Sequence, residues 1–100
     1  MVSFGLTPAQ YSLLDELVIV PLKRYGARVF IFGSRATGKQ KKFSDVDILF
    51  ESKSKILIAD LGAIKSAIED SDFPFKVDLV NRAEMADSYL KSADLEKIEV

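Results

Sequence analysis

Cysteine and histidine are both missing from the chain, and proline occurs only three times. Without cysteine there is no disulfide, no zinc-thiolate site and no thiol nucleophile, a composition that suits a reducing compartment. Without histidine there is no imidazole base and no imidazole metal ligand, so any chemistry falls to Asp, Glu, Lys, Tyr, Ser and Thr. No apolar run approaches the roughly 20 residues of a membrane span, and residues 1–10 have neither the basic start nor the apolar stretch of a signal peptide. The expectation is a cytoplasmic protein without a membrane partner. A net charge of -1 argues against direct nucleic-acid binding over a broad surface.

What is present is the composition of a compact protein: 100 residues, 48% hydrophobic and 29% charged, without low-complexity or repeated segments. That length supports one core, so a single domain over residues 1–100 is expected. Thr7-Pro8-Ala9-Gln10 has the capping hydroxyl, first-turn proline and N3 glutamine of a helix start. Leu13, Leu14, Leu17 and Val18 follow at helical spacing, predicting a helix over 8–25 that Pro21 should kink and Gly26 should end.

Val29-Phe30-Ile31-Phe32 reads as a buried strand ending at Gly33, and Gly33 to Ser44 as a loop. A second strand is predicted over 45–50. Its alternation sends Asp45, Asp47 and Leu49 to one face and Val46, Ile48 and Phe50 to the other. Leu57, Leu61, Ile64 and Ile68 predict a helix over 56–70, and 75–80 reads as a third strand. Within that strand Asp78 breaks an apolar run. Residues 81–100 read as partly helical, with Met85, Tyr89, Ala93 and Ile98 as core candidates. Helices alternating with three strands predict an α/β or α+β layer structure with a small sheet.

The stretch from Gly33 to Gln40 nearly spells the phosphate-binding pattern G-x-x-x-x-G-K-[ST], but Gln40 stands where the magnesium-binding hydroxyl belongs. Only residues 41–44 separate it from the next strand, which leaves no room for the helix that such a loop requires. The other reading uses more of the unusual residues. Gly33-Ser34 closes one strand, ten residues intervene, Asp45-x-Asp47 opens the next, and Asp78 lies on a third. Alone, Asp-x-Asp reads as a solvated strand start and Gly-Ser as a turn; together, in this order on successive strands, they favour a site. Side chains at i and i+2 on a strand begin roughly 7 Å apart on one face, close enough for two carboxylates to share magnesium ions.

This G-S-x10-D-x-D pattern resembles the nucleotidyltransferase superfamily that includes DNA polymerase beta, kanamycin nucleotidyltransferase and the CCA-adding enzymes. At this length the chain looks most like the minimal nucleotidyltransferases, antitoxin-type partners of HEPN-domain proteins. The resemblance implies a nucleotidyltransferase fold and in-line attack on the α-phosphate of a nucleoside triphosphate, with ATP as substrate and two Mg2+ ions. It implies that Asp45, Asp47 and Asp78 hold metal, Asp78 also helping to deprotonate the incoming hydroxyl, and that Gly33 and Ser34 receive the phosphates. Arg35 and Lys39, by proximity in sequence, are expected to balance phosphate charge. The implied reaction is transfer of AMP to a tyrosine or serine of a nearby-encoded HEPN toxin. A non-catalytic antitoxin that blocks its partner, and nucleotide transfer to a small molecule or RNA, remain open, as does a homo- or hetero-oligomeric state.

Overall fold

The computed structural model describes residues 4–100. The first helical segment runs as α1 (Pro8–Leu14), a π-helical stretch (Asp15–Ile19) and α2 (Val20–Arg24). Thr7 and Gln10 form a reciprocal capping box, satisfying two backbone N–H groups that a helix start leaves free. Pro21 has no N–H to return to the preceding turn. The wider i→i+5 winding comes just before it, with the Val20 N–H donating to Asp15, so the expected kink is absorbed as a π-bulge.

Strand β1 (Arg28–Phe32) leads through Gly33 into a short helix α3 (Ser34–Thr37), where the sequence had suggested only a loop. Strand β2 (Val46–Glu51), helix α4 (Ile58–Glu69) and strand β3 (Val77–Asn81) follow. A 3-10 turn (Arg82–Glu84), helix α5 (Asp87–Glu96) and strand β4 (Ile98–Glu99) complete the order. Asp45 thus precedes the second strand rather than opening it. β4 was missed because two residues carry no readable alternation; it is held by pairing with β1 and by a bidentate Arg28 to Glu99 contact of 3.1 and 2.8 Å.

The four-stranded mixed sheet has the order β3-β2-β1-β4. β1 pairs antiparallel with β2 and β4, while β2 and β3 pair parallel, as the intervening α4 crossover allows. Val29, Ile31, Val46, Ile48, Phe50 and Val77 face one layer, packed with Leu14, Val18, Ile19 and Leu22 of the first helical segment and Ile64 and Ile68 of α4. Each such fully buried side chain contributes about 1.5–3 kcal/mol relative to exposure. The opposite face is covered in part: Phe30 and Leu49 bury against Ala93 of α5, with Phe32, Val80 and Met85 at the margin. Two expected core residues lie outside. Leu57 precedes α4 and is 60% exposed, its place taken by buried Ile56, and Tyr89 is 67% exposed.

Candidate active site

Strand register brings the acidic residues together. Phe32 pairs with Asp47 across β1 and β2, and Asp47 pairs with Asp78 across β2 and β3. Residues directly opposite in a sheet share a face, so the two carboxylates stand side by side where α5 no longer covers the sheet. The apolar run that Asp78 interrupts is thereby explained: Val77 and Leu79 point to the main core and Asp78 to the open face. Asp45, exposed, adds a third negative charge that acts on Asp47.

Gly33 closes this row from the β1 side. Its backbone, at φ 75° and ψ -153°, occupies a region that side chains exclude. A Cβ built there would lie 2.6 Å from Asp47 Oδ2, so the strand-to-helix bend can pass the carboxylate only because the residue is glycine. Ser34 follows at the first position of α3, half-buried, beside the bend. This α3 is one turn long and is followed by a strand antiparallel to β1, which excludes the P-loop arrangement of strand, glycine loop and long helix.

Electrostatically the pair is under load. Burial pushes the Asp47 carboxyl above its ordinary value of 3.8, Asp78 and Asp45 push it further, and Arg35 opposes them. A carboxylate raised by burial and by like charges is one whose charged form a bound cation would favour. Lys76, which sequence reasoning passed over, places Nζ 3.7 Å from Asp78 Oδ1 and offsets part of that charge. Among the described residues no three acidic groups close into a cage around one ion. Hard carboxylate oxygens on one face nevertheless fit Mg2+, which is usually held by one or two carboxylates with water and substrate phosphate completing its shell.

Two of the expected phosphate contacts lie in different settings. Lys39 is exposed in the turn after α3, its N–H donating to Ser34 at 2.9 Å. Arg35 is turned inward and only 2% exposed. Its Nε and Nη2 donate to the Ser44 carbonyl at 3.1 and 2.7 Å, and its Nη1 to the Phe4 carbonyl at 2.9 Å. The guanidinium carbon lies over the Phe75 ring, 4.3 Å from its centroid. Three of the guanidinium's five N–H groups thus go to backbone carbonyls, a structural setting that the expected phosphate contact did not include. Nothing in the basic run 35–42 marks which cation folds inward. Two shallow depressions at the other end of the sheet, about 210 and 280 Å3 and lined around Glu51 to Ser54, include none of the acidic trio.

The profile of the Nucleotidyltransferase domain family matches residues 16–100, and the chain belongs to that family. It is 36% identical over 61 residues to the Haemophilus influenzae protein named "Probable protein adenylyltransferase MntA", a match covering 61% of this chain and spanning about half, 54%, of that relative. A solved structure described as a minimal nucleotidyltransferase superposes with a TM-score of 0.74 at 26% identity, covering 95% of this chain and 97% of that one. The protein from a toxin-antitoxin structure with AMP-PNP shares the fold, with a TM-score of 0.68 at 18% identity over 85% of this chain and 70% of that one.

Proposed function

We propose that this chain transfers AMP from Mg-ATP to a tyrosine or serine hydroxyl of a partner protein, a HEPN-domain toxin encoded nearby, and thereby acts as its antitoxin. The observation that carries the reading is the register row Phe32, Asp47, Asp78 ending against Gly33. Support for the acceptor class comes from the relative named a protein adenylyltransferase and from the toxin-antitoxin structures that share the fold.

In this mechanism Asp45, Asp47 and Asp78 would hold the divalent ions, and Gly33 and Ser34 would receive the triphosphate through backbone approach and the Ser34 hydroxyl. When bound, Mg2+ supplies neutralisation of charge on the attacking and leaving oxygens. Asp78, at the rim of the row, accepts the proton of the acceptor hydroxyl as its oxygen bonds to the α-phosphorus and the bond to pyrophosphate breaks. Lys39, exposed beside Ser34, adds positive charge for the phosphates.

A steric antitoxin, which covers its partner's surface without transferring a nucleotide, is the second reading. One experiment separates the two. The protein is incubated with ATP labelled at the α-phosphate, Mg2+ and the partner. Transfer predicts label on the partner and none with Asp45→Asn/Asp47→Asn; labelling by the double variant would refute it, and full inhibition of the partner by an unlabelling variant would favour steric blocking.

A further inference from the structure

We propose that Arg35 is a positioning residue: with the segment Phe4–Thr7 laid over it, its buried guanidinium fixes the backbone that leads into the three acidic side chains and so raises their affinity for divalent metal. This rests on the metal-dependent reading of the site given above, and refines it. Arg35 follows the Gly33-Ser34 bend directly. Its fork holds the carbonyl of Ser44, the residue before Asp45, through two N–H groups. Its charged carbon sits over the ring of Phe75, three residues ahead of Asp78 on the approach to β3. One planar cation therefore touches the lead-in to every acidic residue of the site.

The fourth contact, to the Phe4 carbonyl, belongs to a segment that precedes the family match at residue 16. Its backbone is shaped for that contact. Phe4 has φ 55°, rare for a bulky side chain, and Gly5 has φ 73°, so two successive left-handed residues turn the Phe4 carbonyl back toward Arg35. Phe4 and Leu6 are buried, and Phe4 stacks on Tyr11 at 6.1 Å. A Cβ at Gly5 would lie 3.0 Å from Arg35 Nη1 and 2.7 Å from Gln40 Nε2, so the segment sits directly on the loop that follows α3. Strain at Phe4 persists only where the surroundings over-determine it, and here they consist of Arg35, Tyr11 and the core.

A buried charge is not needed for stability alone, since apolar replacements of buried ionic groups are often neutral or better. What a guanidinium adds is geometry: a planar fork for one carbonyl, a third donor for another and a flat face for a ring, none of which an ammonium can reproduce together. The charge also faces the acidic side chains, both Asp45 and Asp47 acting on it.

The test compares wild type with Arg35→Lys. Mn2+ alone is titrated by electron paramagnetic resonance, thermal unfolding reports the folded fraction, and labelled-ATP kinetics separate KM from kcat. Loss of a partner that orients metal ligands lowers metal affinity by about tenfold or more. Arg35→Lys should therefore remain folded, bind Mn2+ about tenfold more weakly and lose kcat, with nucleotide KM at saturating metal within about twofold. Weakened nucleotide binding with unchanged Mn2+ affinity would make Arg35 a phosphate ligand and overturn the proposal. Lower thermal stability with unchanged Mn2+ affinity per folded molecule would make it structural only, and also overturn it. Should Arg35→Lys not fold, Gly5→Ala, which presses on Arg35 Nη1 and leaves the guanidinium in place, must weaken Mn2+ in the same direction; unchanged affinity overturns the idea. Wild type without Mn2+ affinity defeats it at once. Wild type that binds Mn2+ yet labels no partner would defeat the transfer reading while leaving the positioning role standing.

Discussion

Asp47→Asn should stabilise the metal-free protein while destroying its response to metal. Asp47 and Asp78 are register partners on adjacent strands, with Cα atoms about 4.8 Å apart. With carboxylate charges roughly 5.5 Å apart, their repulsion is about 3 kcal/mol at an effective dielectric of 20 and about 0.8 kcal/mol in water. The site is half open, so the lower part of that range applies, and the attraction of Asp47 to Arg35 offsets some of it. A net relief of about 1 kcal/mol remains, equivalent to roughly 4–8 °C in Tm for a domain of this size. Because the carboxyl of Asp47 is raised, the native state favours its protonated form. The cost is therefore absent below the ordinary value of 3.8, grows as pH rises through the raised pKa, and is complete at neutral pH. Thermal unfolding followed by circular dichroism, with and without Mg2+, from pH 3 to 8 is the assay. The variant should melt higher than wild type at pH 7 without metal, the gap should close in acid, and Mg2+ should raise Tm in wild type only. A variant that melts lower at pH 7, or an equal Mg2+ response in both proteins, would refute the reasoning.

Three further outcomes are expected. Gly33→Ala brings a methyl group against the Asp47 carboxylate in a backbone region that costs about 1–3 kcal/mol, so Tm falls and transfer is lost; a Tm equal to wild type would contradict the bend as described. Arg82 and Lys97 hold the Asp94 carboxyl well below the usual carboxylate range, so its stabilisation is present above 3.8 and lost as pH falls toward the lowered pKa. Asp94→Asn should therefore lower Tm at pH 7 with a gap that shrinks in acid, opposite in sign to Asp47→Asn. Phe43, 76% exposed on a turn that Ser44 closes onto Lys41, contributes little to the core, so Phe43→Ser should change stability by less than about 0.5 kcal/mol. A drop in partner labelling by that variant would place acceptor docking at this turn; a large loss of Tm would contradict its surface role.

Much of this architecture was legible in the chain because local signals agreed with tertiary demands. The capping residues Thr7 and Gln10 report a helix start, while the alternation through Val46, Ile48 and Phe50 and the spacing of Ile64 and Ile68 each report a face that packing then buries. The candidate site was proposed for a different reason: Gly33-Ser34 and Asp45-x-Asp47 stand ten residues apart and Asp78 breaks an apolar strand, whereas the close approach of Gly33 to Asp47 is visible only in the fold. What escaped was set by contacts distant in sequence. The inward turn of Arg35 depends on carbonyls at Phe4 and Ser44 and a ring at Phe75, 31, 9 and 40 positions away. No periodicity encodes such a meeting. Strand β4, two residues long, exists through β1 and the Arg28 to Glu99 contact rather than through a pattern of its own. Tyr89 and Leu57 failed as core residues for a related reason: helical spacing gives a stripe but not how far along the helix its neighbour extends.

The most direct test of the central claim is calorimetric titration of ATP into the protein with and without Mg2+, for wild type and Asp78→Asn. The account predicts binding that requires Mg2+ and is lost or severely weakened by the single change, with Tm of the metal-free variant unchanged or raised. Equal ATP affinity in the two proteins, or affinity indifferent to Mg2+, would show that the paired carboxylates beside the glycine bend do not form the nucleotide site.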